Sequence, residues 1–370
     1  MKIGILGAGQ LAQMLALAGL PLGLRFVFLD PDAQAPAGLV GSLITASYDS
    51  EAALDQLAEQ VELITYDFEN VPVTSANYLA QRVPVHPVPE ALAAGQDRLA
   101  EKRLFHQLGI PTAPFAAIHS AAELTRALAE IGLPAILKTR RFGYDGKGQF
   151  RLREPADVDF AWAHLRGRPL LLEGWIEFER EVSLLAARSA AGETVFYPLV
   201  HNVHHEGILH ISRAPYQDDA LQAQAQVYGQ RLLDALDYRG VLAVEFFVQQ
   251  GQLIANELAP RVHNSGHWTL EGASTSQFEN HLRGILGLPL GSTAVTGFSA
   301  MVNCIGQEPT LADVAAIPHA HMHSYGKQAR AGRKLGHVTV VAPTREQLEQ
   351  QLAQLIPLIA VKLAKSSALI

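Results

Sequence analysis

The chain is expected to fold as an α/β unit followed by an α+β unit, and three observations point there. Residues 2–86 alternate short apolar runs (KIGIL, RFVFL, SLIT, VELITY) with helix-like segments at 10–20 and 50–60, the rhythm of a parallel sheet covered by helices. HPVPEALAAGQDR then crosses a proline-rich joint near 87–97 into a charged helical stretch, DRLAEKRLFHQLG, which ends at Gly109 before IPTAP. Past Phe115 the pattern is mixed, with strands expected at 135–138, 170–173, 181–188, 241–248 and 252–258 around one long helix at 218–236. From about 296 the chain adds strands near 298–303 and 336–342 and a helix near 344–356. The units expected are a Rossmann-like one over 1–97, a mixed one over 98–295 and a small one over 296–370, in keeping with 370 residues at ~150 per domain.

Composition narrows the classes of partner. A hydrophobic content of 48% can build a large core, and a formal charge of −7 without a lysine-arginine block argues against nucleic-acid or membrane-surface binding. The single cysteine, Cys304, excludes an internal disulfide framework and fits a reducing cytoplasm. Met-Lys followed at once by a strand does not read as a secretory signal, and no apolar run reaches the ~18 residues of a membrane span.

The first element, KIGILGAGQLAQM at 2–14, satisfies G-x-G-x-x-G/A through Gly7, Gly9 and Ala12, with Asp30 where a ribose-binding acid would stand. Taken alone, this reads as a nicotinamide-dependent oxidoreductase. Glu69 follows VELITYDF, at the carboxyl end of an expected parallel strand, where open α/β sheets bind ligands. The second element, LKTRRFGYDGKGQ at 137–149, sets Lys138 at a strand end and follows it with Gly143, Gly146 and Gly148. Such a loop suits phosphate, since glycines let backbone N–H groups approach closely while Lys138, Arg140, Arg141 and Lys147 supply positive charge. It lacks the GK[ST] ending of a Walker loop, and an ordinary solvated hairpin is the alternative.

The third element is LAVEFFVQQGQLIANELAPR at 242–261. A three-residue loop at 249–251 sets Glu245 opposite Ala255 and Glu257 opposite Ala243, which makes the two carboxylates diagonal neighbours on one face. Two carboxylates among apolar residues call for a cation, and magnesium, held by one or two carboxylates plus phosphate oxygens, fits with Asn256 beside them. Two exposed glutamates on a plain hairpin is the alternative, and a slip of one residue would separate their faces. LLLEGWIEFEREVSLLAA at 170–187 offers a strand end at Glu173 and a carboxylate, Glu181, that could accept from ribose hydroxyls. Histidines 201, 204, 205 and 210 invite a zinc reading, but no cysteine accompanies them and strand alternation sends them to different faces.

In this order and spacing the elements resemble the ATP-grasp superfamily and, within it, the N5-carboxyaminoimidazole ribonucleotide synthetases, ATP-dependent carboxylases of purine biosynthesis. The resemblance runs through nearly the whole chain, on GAGQLAQM (7–14), YDFENVP (66–72), RRFGYDGKGQ (140–149), FEREVSLLAAR (178–188), NELAPRVHNSGHWT (256–269) and GRKLGH (332–337). It implies an ATP-grasp fold behind a Rossmann-like pre-ATP-grasp domain, with a small C-terminal domain. It implies ATP, Mg2+, bicarbonate and 5-aminoimidazole ribonucleotide as ligands, carboxyphosphate as intermediate, and a cytoplasmic homodimer.

Residue by residue, the resemblance assigns Arg98 and Lys138 to ATP phosphates, and Gly143, Tyr144, Asp145, Gly146, Lys147, Gly148 and Gln149 to the loop over them. Glu173, Gly174, Trp175 and Ile176 border adenine, Glu181 the ribose, and His204 another part of the nucleotide site. Glu245 and Glu257 hold magnesium beside Asn256. Glu69 lies near the imidazole amine, and Arg261, His263, Asn264 and Ser265 surround the reacting centre, where Arg261, His263 and Lys138 are catalytic. Gly9, Gln10 and Leu11, with Lys327, Arg333 and Lys334, approach the 5′-phosphate of the ribonucleotide, so the opening glycines take a substrate phosphate rather than a dinucleotide. Arg98 stands where many ATP-grasp enzymes use lysine, keeping the charge but not the point geometry. The rival readings are another ATP-grasp ligase, of the formate-dependent glycinamide ribonucleotide transformylase type, and the oxidoreductase. ADP should raise the melting temperature, by the equivalent of about 2.7 kcal/mol at 100 times its Kd, while NADH leaves it unmoved; a shift with NADH alone would restore the oxidoreductase.

Overall fold

The computed structural model describes residues 1–143 and 148–359. Strands β1 (Lys2–Leu6), β2 (Arg25–Asp30), β3 (Ser42–Thr45) and β4 (Leu63–Tyr66) form a parallel sheet in the order β3-β2-β1-β4. β1 and β2 are buried over their apolar runs and β4 at every position, because helices cover both faces of the sheet. At the end of β1 the chain turns through Gly7, at φ +97°, into the helix Gln10–Gly19. A side chain at Gly7 would sit 1.8 Å from Asp67 Oδ1, so close approach as well as φ demands glycine. The turn is held by carboxylates, Ala8 N–H donating to Asp30 at 2.9 Å and Gly9 N–H to Asp67 at 2.8 Å.

This unit is packed onto the rest of the chain. Leu11 and Leu15 of the helix Gln10–Gly19 share an apolar cluster with Phe278 and Leu282 of the helix Gln277–Ile285. Beside it, buried His281 accepts from Val241 N–H through Nδ1 at 3.1 Å, which leaves Nε2 to donate to Thr65 Oγ1 at 2.9 Å.

The joint leads through the helix Pro89–Gln96 to the helix Arg98–Gln107, capped by the Asp97 carboxylate, which accepts from Leu99 and Ala100 N–H. Next comes an antiparallel sheet of β5 (Phe115–Ile118), β6 (Ala135–Thr139), β7 (Gln149–Leu152) and β8 (Leu170–Gly174), ordered β5-β8-β6-β7. The helices Ala121–Ile131 and Pro155–Leu165 cover one face, burying Leu124, Ala127, Ala161 and Leu165 against Leu137 and Leu172.

The largest sheet is antiparallel: β9 (Arg180–Arg188), β10 (Thr194–Phe196), β11 (Val200–His205), β12 (Ile208–Ala214), β13 (Gly240–Gln249), β14 (Gln252–Ala259), β15 (Phe298–Ile305), β16 (Ala320–Ser324) and β17 (Lys334–Ala342). Its order is β14-β13-β9-β11-β12-β15-β17-β16, with β10 paired to β9. The last three strands thus extend the sheet of the middle segment through the β12–β15 pair. The helix Arg345–Leu358 lays Leu348, Leu352 and Leu355, at i, i+4 and i+7, on β15 and β17.

One expectation fails in detail. The β13–β14 hairpin has a two-residue loop, Gln250 at φ +51° and Gly251 at φ +71°, with Gln249 paired to Gln252. Positive φ at both central residues suits the right-handed strand twist, which is why the shorter loop wins. Carried straight on, that register would set Glu245 opposite Asn256. A bulge after Glu245 absorbs Asn256 instead, and Glu245 pairs directly with Glu257. The carboxylates are therefore cross-strand partners rather than diagonal neighbours, on one face all the same.

Candidate active site

All three segments contribute to a cleft of about 1120 Å³. At one end Lys138, on β6, donates to Glu173, on neighbouring β8, at 2.7 Å. Lys102, from the helix Arg98–Gln107, reaches the other oxygen of the same carboxylate at 3.6 Å. All three side chains are buried. Burial alone would push the Glu173 carboxyl up, but Lys138 and Lys102 outweigh it and hold the pKa at about 2. Burial lowers the Lys138 ammonium below its ordinary value even against the pull of Glu173. Glu173 is therefore turned to the lysines, while Gly174, Trp175 and Ile176 line the cleft where adenine is expected, near the stacked rings of Phe178 and Phe247.

Lys102 and its neighbour Glu101 went unnoticed in the sequence. Lys102 donates to the carbonyls of Asn256 at 2.9 Å and Ala255 at 3.4 Å, and Glu101 accepts from Leu258 N–H at 2.5 Å. β14 is the edge of its sheet, so these side chains satisfy its backbone on both sides of Glu257. Burial pushes the Glu101 carboxyl up to about 8. The available signal was spacing: Arg98, Glu101, Lys102 and Phe105 fall at i, i+3, i+4 and i+7, one face of a helix with an aromatic on it. Arg98, on that face, lies 3.6 Å from Glu257 and donates to the Gly143 carbonyl at 3.3 Å.

The loop cations divide. Arg140 makes a bidentate pair with Asp97 at 2.9 and 2.7 Å, and Arg141 lies 3.5 Å from the same carboxylate, and neither lines the main cleft. Gln149 lines the cleft; Gly143 and Gly148 do not, though Gly143 borders a smaller cavity beside it. Tyr144, Asp145, Gly146 and Lys147 lie outside the described residues.

Farther in, Glu181 and His204 meet at 3.1 Å across β9 and β11, where a bulge falls between Val203 and His204. Burial favours the neutral ring, but Glu181 and Glu245 raise the His204 pKa above its ordinary value. Glu245, Glu257 and Asn256 line the cleft together. Burial and the Glu257 charge push the Glu245 carboxyl up to about 7, although His204 pulls the other way. Paired carboxylates in that state suit a divalent cation. Among the described residues no group of three or more His, Cys, Asp or Glu side chains could hold a metal alone. Magnesium takes one or two carboxylates and fills its remaining positions from phosphates and water.

Just past β14, Arg261 Nε donates to Glu69 at 2.5 Å. Burial opposes the charge on Glu69, but Arg261 holds the carboxyl below its ordinary range. His263 lines the cleft with Nε2 3.7 Å from Glu245, and burial and Arg261 keep its pKa well below the ordinary value. Asn264 exchanges amide hydrogen bonds with Asn303 at 3.1 and 2.7 Å, and Ser265 is buried behind His263. Gly9, Gln10 and Leu11 line the far end with Asp67 and Lys334. Lys327 bonds the Gln10 side chain and Arg333 donates to the Gln328 carbonyl; neither lines the cleft itself. Asp30 accepts from Ala8 N–H, Asp32 N–H and the Tyr48 hydroxyl, so it anchors the glycine turn.

Three family models match the chain: ribonucleotide synthetase preATP-grasp domain over 1–96, ATP-grasp domain over 103–278, and phosphoribosylaminoimidazole carboxylase C-terminal domain over 299–351. The N5-carboxyaminoimidazole ribonucleotide synthase of Pseudomonas aeruginosa is 54% identical over 359 residues, 97% of this chain and 99% of that one. The crystal structure of the N5-carboxyaminoimidazole ribonucleotide synthetase of Thermus thermophilus superposes with a TM-score of 0.94 at 52% identity, covering 99% of this chain and 100% of that chain. The N5-carboxyaminoimidazole synthase of Aspergillus clavatus, solved with ADP and 5-aminoimidazole ribonucleotide, gives a TM-score of 0.89 at 31% identity, over 97% of this chain and 98% of that chain.

The Lys138–Glu173–Lys102 cluster should be visible in stability. Lys102→Met breaks one side of a buried ion pair and frees two carbonyls at a sheet edge, so urea unfolding should show a loss of roughly 3–5 kcal/mol. Because Glu173 has a folded pKa of about 2 against an ordinary 4.5, its contribution is full above the ordinary value and falls away as the pH drops to about 2. Lys102→Met should flatten that acid limb; an unchanged limb would mean that Lys102 does not act on Glu173.

Proposed function

The chain belongs to the N5-carboxyaminoimidazole ribonucleotide synthetase family of ATP-grasp ligases, enzymes of purine biosynthesis, and from that premise we propose how its cleft works. It carboxylates 5-aminoimidazole ribonucleotide with bicarbonate, using ATP and releasing ADP and phosphate. The observation that carries this reading is one continuous cleft lined by Lys138, the Glu245–Glu257 pair, the Glu69–Arg261 pair and His263.

A bicarbonate oxygen attacks the γ-phosphorus of ATP, the bond to ADP breaks, and carboxyphosphate forms. The exocyclic amine of the ribonucleotide then attacks its carbon, or the CO2 it releases; phosphate departs and the amine loses a proton. Phosphoryl transfer asks for positioning and charge neutralisation rather than a nucleophile on the protein, and the inventory here matches. Lys138, already desolvated and held by Glu173, offers its ammonium to the phosphates. Arg98 does the same once a cation takes over Glu257, which it neighbours at 3.6 Å. Glu245 and Glu257, with Asn256, are the residues that would hold magnesium. When bound, the ion neutralises β- and γ-phosphate charge and orients the γ-phosphate.

Arg261 is kept in place by Glu69, leaving a guanidinium next to His263 to meet the anionic carboxyl group. Glu69 itself accepts from the imidazole amine, and Asn264 completes the surroundings of the reacting centre, with Ser265 behind His263. Glu181 and His204 take the ATP ribose and its neighbourhood. Gly9, Gln10 and Leu11, with Lys327, Arg333 and Lys334, receive the ribonucleotide phosphate at the N-terminus of the helix Gln10–Gly19. The enzyme works as a homodimer in the cytoplasm, a reading supported by the family resemblance and by a lone, buried cysteine. Among the described residues no helix is long and apolar enough to cross a membrane.

ADP release should depend on both 5-aminoimidazole ribonucleotide and bicarbonate, and absence of stimulation by the ribonucleotide would overturn the substrate assignment. Glu257→Gln should cut ATP turnover by roughly 10³-fold, several kcal/mol, with an unchanged circular-dichroism spectrum; normal turnover at ordinary magnesium would sink the metal assignment. Gln10→Ala should raise KM for the ribonucleotide far more than KM for ATP, and the reverse pattern would return the glycine turn to the nucleotide.

A further inference from the structure

Behind His263 a line of buried polar side chains crosses the large sheet. Ser212 on β12 bonds Asn202 on β11 at 2.8 Å, Asn202 bonds Ser183 on β9 at 3.0 Å, and Ser183 bonds Ser265 at 2.8 Å. Ser265 then reaches His263 Nδ1 at 2.9 Å. Every member from Ser212 to Ser265 is buried, with the three serines at 0% exposure. Four polar residues in the interior of a sheet are expensive unless each is satisfied, so the line calls for an explanation.

The direction of each bond follows from its fixed end. The backbone N–H of Ser265 also points at His263 Nδ1, at 3.3 Å, and a backbone N–H can only donate. Nδ1 is therefore an acceptor. The single hydroxyl proton of Ser265 is then free to go to Nδ1, and Ser183 must donate to the Ser265 oxygen. Ser183 in turn needs a donor, which is the amide nitrogen of Asn202, and this leaves the Asn202 oxygen to accept from Ser212. The chain is consistent from end to end in this sense and in no other that respects the Ser265 N–H. With Nδ1 accepting, the ring proton sits on Nε2, the nitrogen 3.7 Å from Glu245.

We infer that Ser212, Asn202, Ser183 and Ser265 form a directed hydrogen-bond chain that, together with the Ser265 backbone N–H, fixes His263 as its Nε2–H tautomer, so that the ring meets the reacting centre as a hydrogen-bond donor and not as a proton acceptor. Its recipient is an anionic oxygen of bicarbonate or carboxyphosphate, which gains from a donor as charge develops. The four are positioning residues, acting through His263. This inference rests on the proposed place of His263 at the reacting centre.

The test uses the full-length enzyme with ring-15N histidine, His263 being assigned by the signal lost in His263→Asn. In the wild type, Nδ1 of His263 should give a pyridine-like shift and Nε2 a pyrrole-like one. Ser265→Ala removes the hydroxyl donor. Asn202→Asp reverses the chain, because a carboxylate accepts from both serines and draws the Ser183 proton away from Ser265. Both variants leave the longer Ser265 N–H contact, at 3.3 Å, as the sole donor to Nδ1 in place of the pair, so the preference for Nε2–H should weaken, the second tautomer should become populated, and kcat should fall on the order of 10- to 100-fold, as for outer hydrogen-bond partners that orient an active ring, with KM for ATP and ribonucleotide unchanged. Should the buried carboxylate of Asn202→Asp prevent folding, Ser183→Ala breaks the same chain one link on. A wild-type His263 protonated on Nδ1, or folded variants with the wild-type tautomer and kcat, would overturn the inference. Full activity in His263→Asn would instead overturn the placement of His263, and the inference with it, whatever the spectra show.

Discussion

The arrangement of the cleft depends on one buried carboxylate, Glu173, lying between two buried ammonium groups. Each of these charges would be costly to desolvate alone, and together they are tolerable only while the three remain in register. Lys138 comes from β6, Glu173 from β8 and Lys102 from a helix of the preceding segment, so their pairing fixes one sheet against that helix. Lys102 then carries the constraint onward through the carbonyls of Ala255 and Asn256. Glu101 adds the Leu258 N–H, and between these anchors stands Glu257. A charge requirement in one sheet thereby sets the position of a carboxylate in another.

The hairpin that bears Glu257 shows a second constraint, of backbone geometry. A two-residue turn with positive φ at Gln250 and Gly251 is the natural link for twisted strands, yet its register would leave Glu245 facing Asn256. The bulge corrects this by one residue and brings two like charges opposite each other, which a sheet without a purpose for them would avoid. The repulsion is already felt by Glu245, whose pKa stands near 7. A hairpin that pairs these residues without a cation is held in a state that a cation relieves.

These two features also mark how far sequence reading reaches. The parallel opening sheet, β6, β8, β9, the long helix and the β13–β14 hairpin were all legible, since continuous apolar runs and turn residues announce buried strands. β5, β7 and β16 are short and half-exposed, and so leave no such trace. Most of the residues expected in the cleft do line it, Lys138, Glu181, Glu245, Glu257, Arg261 and His263 among them. Register was out of reach, because a bulge is a local solution that depends on the partner strand. Glu101 and Lys102 carried only the weak signal of their spacing with Phe105: adjacent opposite charges on a helix ordinarily mean a solvated face, and only the tertiary structure turns that face inward. Nor did the sequence announce that Arg140, a loop cation, pairs with the helix cap Asp97.

The same logic explains how one cleft gives a single residue type several roles. Glu173 is held ionised by two lysines, Glu69 by Arg261, and Glu245 is driven toward neutrality by burial and by Glu257. Nothing in the side chains distinguishes them; the elements that surround each one do. The lysine-bound Glu173 cannot readily take a proton or a metal, so it serves the architecture, and Glu245, poised between charge states, responds to whatever cation arrives. His263 lies between these regimes, beside Arg261 and near Glu245, where electrostatics alone would leave the place of its proton open. A row of neutral hydroxyls and one amide can decide it because their bonds have direction and carry no net charge, so the tautomer is set without disturbing the balance that the carboxylates and cations around it maintain.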